Sequence, residues 1–153
     1  MYVTLLNQGH FDGARMAIEH GKHVLVEKPF MMTAAEAMEI VGLARQRGVF
    51  VMEAMWSRFT PSQRLLKQEI LSGIIGDALT ISAQYGEQLG DKPRVWTPEQ
   101  GGGALMDLGV YPLAFILNMF GEAETLHGTA LLTDRGVDRT IAVQTTHHDG
   151  RLG

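Results

Sequence analysis

The sequence predicts an α/β fold in which part of a doubly wound parallel sheet is followed by an incomplete α+β domain with a mostly antiparallel sheet. Three observations carry this. Two strand–helix–strand alternations fall within residues 1–53, the signature of parallel strands joined by covering helices. The alternation stops after Trp56. Near the end, two β-rich runs flank Asp134-Arg135-Gly136-Val137, which reads as an antiparallel hairpin.

The first expected strand is Tyr2-Val3-Thr4-Leu5-Leu6, short, apolar and partly β-branched. A helix over 11–20 follows, with Ala14, Ala17 and Ile18 facing a core and Gly21 as its stop. Residues 23–26 form the second strand. Thr33-Ala34-Ala35-Glu36 has the spacing of a capping box and opens a helix to Arg47, closed by Gly48. Residues 49–52 are the third strand. Three strands make a poor independent sheet of this type, and no Gly-x-Gly-x-x-Gly follows an early strand. Residues 1–56 therefore read as the second half of a dinucleotide-binding domain.

From 57 to 153 the elements change character and read as the first part of a second domain. Thr60-Pro61 supplies a cap and a first helical position for a helix to Leu71. Gly73 and Gly76 bracket a turn, and 79–85 reads as a strand with Leu79, Ile81 and Ala83 inward. A loop with Pro93, Trp96 and Pro98 leads to Gly101-Gly102-Gly103 and a helix over 104–120, stopped by Gly121. The hairpin strands are expected at 125–133 and 139–146. Residues 147–153 show no cap or core segment, so the sheet is expected to continue in a longer parent chain.

Composition narrows the function classes. The 153 residues are 45% hydrophobic and 20% charged, with 13 basic against 17 acidic side chains and a net charge of -4. No basic stripe marks a nucleic-acid partner. The absence of cysteine excludes disulfides, thiolate metal sites and a cysteine nucleophile. No apolar run reads as a membrane span of about 20 residues. Asn7, Gln8 and His10 interrupt any signal-peptide core, so a cytoplasmic protein is the expectation.

Several residues are placed for chemistry. Lys28 follows directly on the second strand, and in parallel sheets ligands bind beyond the carboxyl ends of strands. Pro29 disfavours a helical conformation at Lys28. On position alone a surface loop lysine is the plainer reading. Asp107 and Tyr111 are four apart on a helix and so share a face. With a lysine in the same cleft they make a proton-transfer set, because a nearby ammonium favours phenolate. An amphipathic helix with a tyrosine at the core edge explains the same spacing. Trp56, Tyr85 and Trp96 fit an aromatic wall for a cyclic substrate, or packing. Arg58 fits a substrate anchor, or a structural ion pair. His147, His148 and Asp149 do not make a metal site, since adjacent histidines on a strand point to opposite faces. The run Gly101 to Gly103 reads as a tight helix entry and not as a phosphate loop.

Two segments resolve these alternatives by resemblance. Gly21-Lys22-His23-Val24-Leu25-Val26-Glu27-Lys28-Pro29 and Gly102-Gly103-Ala104-Leu105-Met106-Asp107-Leu108-Gly109-Val110-Tyr111-Pro112 closely resemble signatures of the Gfo/Idh/MocA family of oxidoreductases, in the same order. Met52-Glu53-Ala54-Met55-Trp56-Ser57-Arg58-Phe59 and Ala83-Gln84-Tyr85-Gly86 are most similar to its dihydrodiol dehydrogenase branch. The resemblance implies a partial Rossmann domain followed by a substrate and oligomerisation domain, whose sheet often forms a dimer interface. It implies NAD(P) as cofactor and hydride transfer with a hydroxyl of a sugar, polyol or cyclic trans-diol. Lys28 would lie beside the nicotinamide, with Glu27 and Pro29 on the cofactor side. Tyr111 would be the proton shuttle, standing where many relatives have histidine, and Asp107 would support it. Asn7 and His10 match an Asn-x-x-His segment near the cofactor, although Leu5-Leu6 replaces the usual Thr-Pro. The chain by itself is expected to bind NAD(P) poorly. The rival expectation is a non-catalytic truncated paralogue that serves as a binding or scaffold module.

Overall fold

Parallel strands at the start and an antiparallel hairpin at the end are both present in the computed structural model, which describes residues 1–90 and 92–153. The described residues form two compact units. One comprises Met1–Ala54 with Lys92–Gly102; the other comprises the described residues of 55–91 with Gly103–Gly153.

In the first unit, β1 (Tyr2–Val3), β2 (Val24–Val26) and β3 (Val51–Glu53) form a parallel sheet in the order β1-β2-β3. β1 is shorter than expected. It pairs on one side only, Tyr2 with Leu25 and Val3 with Val26, and Leu5 and Leu6 beyond it are exposed. Helices α1 (His10–Glu19) and α2 (Ala34–Arg47) cover the sheet. The capping box of α2 is complete: the Glu36 N–H donates to Thr33 Oγ1 at 3.2 Å, and the Thr33 N–H donates to Glu36 Oε2 at 3.2 Å. Gly48 ends α2 with φ 63°, a left-handed conformation that a β-carbon disfavours. The core is Val3, Ala14, Ala17, Ile18, Val24, Val26, Met31, Ile40 and Ala44, drawn from strands and both helices.

The segment Lys92–Gly102 belongs with this unit, whereas the sequence reading places it in the second domain. The tie is long-range and local in chemistry. The Asn7 side-chain amide donates to the Gly101 carbonyl at 3.1 Å. Gly101 has φ 69°, a left-handed conformation that a β-carbon disfavours, and a β-carbon there would also come within 2.5 Å of Met32 Sδ.

In the second unit, α3 (Pro61–Leu71) begins as expected, with the Gln63 N–H donating to Thr60 Oγ1 at 3.4 Å. The expected strand at 79–85 does not form. Thr80 makes a single bridge to Leu152, Leu79 is exposed, and one bridge does not sustain a ladder. The long helix expected over 104–120 is also different at its start. Leu105–Gly109 is a π-helical turn, and α4 (Val110–Phe120) continues from it. The stretch Pro98–Phe120 has 23 residues and a window of mean hydropathy 1.5, so by length and composition it is long and apolar enough to cross a membrane, contrary to the sequence reading. It carries buried Asp107 and Asn118, and a core helix passes the same test.

The hairpin is longer than expected: β4 (Ala123–Leu132) and β5 (Asp138–His147) pair antiparallel, with irregularities at Ala123/Thr125 and Leu131/Leu132. Residues beyond β5 are not an unanchored end. The Thr145 N–H donates to the Gly153 carbonyl at 2.8 Å, and the Ile81 N–H donates to the Leu152 carbonyl at 3.0 Å. The Arg151 guanidinium lies 4.5 Å from the Phe120 ring centre and pairs with Asp149.

Candidate active site

The carboxyl ends of β1, β2 and β3 carry the first group of candidate residues. Asn7 follows β1 in a 3₁₀ turn, Asn7–Gly9, and its amide is engaged with Gly101. His10 opens α1 and is fully buried. Its Nδ1 lies 2.9 Å from the Pro29 carbonyl and its Nε2 lies 3.0 Å from the Leu5 carbonyl. The imidazole thus braces the turn after β2 against the turn after β1. Glu27, Lys28 and Pro29 leave β2 together, with Lys28 half-buried and Pro29 buried. The Lys28 N–H donates to Glu27 Oε2 at 3.0 Å, and the Tyr2 hydroxyl donates to Glu27 Oε1. The Lys28–Pro29 peptide is cis.

Sequence reasoning did not single out Glu53 as a site residue. It ends β3, in register with Val26, so strand pairing sets it next to the Glu27-Lys28 turn. The Phe30 N–H donates to Glu53 Oε1 at 2.8 Å. Burial holds the Glu53 carboxyl above the usual carboxylate range; the Phe30 N–H opposes that, as do the charges of Lys28 and His10, while Glu27 adds to it. The available signal was a glutamate at the carboxyl end of an apolar strand in a parallel sheet, where apolar burial and charge compete.

The second unit gathers the aromatic candidates. Trp56 opens a 3₁₀ turn, Trp56–Phe59, and its Nε1–H donates to the Tyr111 hydroxyl at 3.2 Å. The two rings meet edge to face at 5.9 Å. Tyr85 meets the other side of Tyr111 in the same manner at 5.5 Å. Such pairs hold their geometry because the positive ring edge faces the negative ring face. Trp56 and Tyr85 are exposed and Tyr111 is half-buried, so the phenol stands in an aromatic notch open to solvent. Asp107 is buried in the π-helical turn one turn before Tyr111. A π turn is wider than an α turn and is frequent at functional sites. Asp138, at the start of β5, fixes the entry to this turn by accepting the Leu105 N–H at 2.6 Å, and a β-carbon at Gly103 would collide with it. Arg58 is exposed on the turn that carries Trp56. Trp96 is half-buried in the 3₁₀ turn Pro93–Trp96 of the first unit. A cavity of about 580 Å³ lies between 81–86, β5 and the helix bearing Gly109 and Leu113. Tyr85 and Pro112, the neighbours of Tyr111 in space and in sequence, line it.

The parallel sheet and its lysine-bearing turn lie within residues 1–55, which match the family model described as an oxidoreductase family with an NAD-binding Rossmann fold. Residues 63–153 match the Gfo/Idh/MocA C-terminal domain, and the chain belongs to the Gfo/Idh/MocA family. It is 36% identical to mouse trans-1,2-dihydrobenzene-1,2-diol dehydrogenase over 154 positions, covering 99% of this chain and 46% of the relative. It is 38% identical to the protein of the same name from Macaca fuscata fuscata over 144 residues, with 93% and 43% covered. The chain therefore spans less than half the length of these relatives. Among solved structures, an aldose-aldose oxidoreductase from Caulobacter crescentus, complexed with glycerol, superposes with a TM-score of 0.90 at 26% identity, covering 99% of this chain and 48% of that one. A 3-ketoreductase from Actinomadura kijaniata, complexed with NADP and TDP-benzene, superposes with a TM-score of 0.84 at 29% identity, with 99% and 47% covered.

Proposed function

We propose that this chain forms the catalytic portion of an NAD(P)-dependent oxidoreductase that oxidises a hydroxyl of a cyclic trans-diol, polyol or sugar. The observation that carries the reading is the Tyr111 hydroxyl, held between two aromatic rings and hydrogen-bonded by Trp56. The dihydrodiol dehydrogenase relatives and the aldose and NADP-bound neighbours support the same chemistry.

The residues at the carboxyl edge fit the nicotinamide end of such a cofactor. Asn7, Glu27, Lys28 and Pro29 present polar side chains and main chain there, whereas the sequence contains no Gly-x-Gly-x-x-Gly to hold a diphosphate. His10, buried between two carbonyls, serves by bracing the turn and not by touching the cofactor. When bound, the nicotinamide accepts or supplies the hydride. Tyr111 takes the proton of the substrate hydroxyl. The Trp56 N–H stabilises the phenol oxygen when it carries negative charge, because a donor to the charged form favours it. Lys28 supplies positive charge at the carboxyl edge of the parallel sheet. Asp107 supports Tyr111 from the preceding turn. Trp56 and Tyr85 offer apolar faces to a ring, Arg58 anchors a polar substituent, and Trp96 adds a further aromatic surface.

The exposed Leu126, Leu131 and Leu132 of the hairpin support self-association of the parent enzyme through that sheet. The test of the function is Tyr111→Phe in the enzyme containing this chain, followed by nicotinamide absorbance with a cyclic trans-diol. General acid–base help is worth roughly 10²–10⁴ in rate, so turnover should fall by about 10² or more while dinucleotide affinity holds. Near-normal turnover would remove Tyr111 from the role.

A further inference from the structure

We propose that Glu53 is a positioning residue for Lys28, anchoring the turn 27–30 through the Phe30 N–H and supplying a counter-charge to the Lys28 ammonium. The inference rests on the assignment of Lys28 above and goes beyond it, since it names the group that holds the lysine in place.

The geometry comes from the sheet. Parallel pairing aligns Val26 with Glu53, and the Ala54 N–H donates to the Val26 carbonyl at 2.7 Å. Both strands therefore end at one level, and the chain leaving β2 turns across the end of β3. The Glu53 carboxylate meets it there, accepting the Phe30 N–H at 2.8 Å. That single contact fixes the far end of the turn two residues beyond Lys28. The near end is fixed by Glu27, whose Oε2 accepts the Lys28 N–H. The middle is fixed by His10, which faces the Pro29 carbonyl. Glu53 is half-buried, as is Glu27, and of the two carboxylates it is the one that reaches the turn from a neighbouring strand.

The groups that act on Glu53 electrostatically are Lys28 and Glu27 from the turn and His10 from α1. Burial disfavours its charge, whereas Lys28 and His10 favour it. A carboxylate in that position costs the fold desolvation. A leucine there would avoid that cost, but would leave the Phe30 N–H without this acceptor and the Lys28 ammonium without this negative charge. The arrangement therefore trades stability for a defined place for the lysine.

The test uses the 153-residue chain and two readouts. The first is the Phe30 amide proton shift as a function of pH, which reports ionisation of its acceptor. It should titrate with Glu53 in the wild type and stay flat in Glu53→Gln. The second is the labelling rate of each of the four lysines by trinitrobenzenesulfonate, mapped by peptide mass spectrometry, with Lys22, Lys67 and Lys92 as internal references. Glu53→Gln removes the counter-charge and leaves the Lys28 side chain less firmly held, so Lys28 should label about threefold faster in that variant. Glu53→Asp keeps the charge and should stay near the wild-type rate. A Phe30 amide that ignores Glu53, or equal Lys28 labelling in wild type and Glu53→Gln, overturns the proposal. Should Glu53→Gln fail to fold, the wild-type amide titration and the Glu53→Asp labelling rate decide it, the latter departing from wild type if charge is not what matters. Failure of the parent assignment looks different: Lys28→Met would then keep normal turnover, whatever the labelling shows.

Discussion

The first unit buries its candidate site in packing, and the second leaves its site on an open surface. Around β1–β3 the core residues Ile18 and Ile40 are 0% exposed, and the turn that bears Lys28 is held by buried or half-buried partners. In the second unit α3 has no buried residue, and Leu126 and Leu131 on β4 are 58% and 60% exposed. Tyr111 is held instead by two ring edges and one indole N–H. One candidate residue is positioned by a scaffold, the other by its immediate aromatic neighbours.

That contrast breaks first on stability. Ile18→Ala or Ile40→Ala should cost about 2–5 kcal/mol in denaturant unfolding, as a large-to-small change in a packed core does. Leu126→Ala and Leu131→Ala should stay within about 0.5 kcal/mol, as surface changes do. Equal costs at both places would erase the distinction.

The next effect is catalytic. Lys28→Met should match Tyr111→Phe, each costing roughly 10² in turnover of the enzyme containing this chain. The double variant should be little worse than either single one, since groups that act as a unit are strongly non-additive. Multiplying losses in steady-state kinetics would show two independent contributions. Asp107→Asn should be milder, because it disturbs support and leaves the phenol.

Caps offer a smaller, cleaner comparison. Thr33→Ala removes half of a reciprocal capping box and should cost about 1 kcal/mol. Thr60→Ala removes a longer cap bond at α3, 3.4 Å, together with the hydroxyl's contacts to the Ser57 carbonyl and the Ser62 hydroxyl, all within three residues, and should cost less. The reverse order in thermal melts would place the stabilising work in the second unit.

The smallest effect is one of pH. The folded Glu53 carboxyl is raised by burial, so its contribution to stability is present below the unfolded carboxyl value and is lost as pH rises through the folded one. Glu53→Gln, which stays neutral, should therefore gain stability relative to wild type as pH rises from about 4 to 8. A constant difference across that range would mean that burial does not govern Glu53.

The local signals were legible in the sequence. The box at Thr33 and Glu36, the stop at Gly48, the cap at Thr60, the strand-end position of Lys28 and the turn at 134–137 each depend on residues within a few positions of one another. So did the family, because its signatures are contiguous. The π-helical turn was not legible, since an apolar run through Leu105, Leu108 and Leu113 suits either helix period.

The sequence alone determined on which kind of element most candidate residues stand, because caps, glycine stops and strand ends are set by short-range sterics and hydrogen bonding. Only the tertiary structure decided what those residues touch. Glu53 reaches the Lys28 turn through register between strands 27 residues apart in Val26 and Glu53, His10 is buried against Pro29, Asn7 holds Gly101, and Trp56 holds Tyr111. Each contact joins side chains distant in sequence, and is fixed by strand pairing or close packing that no local pattern encodes.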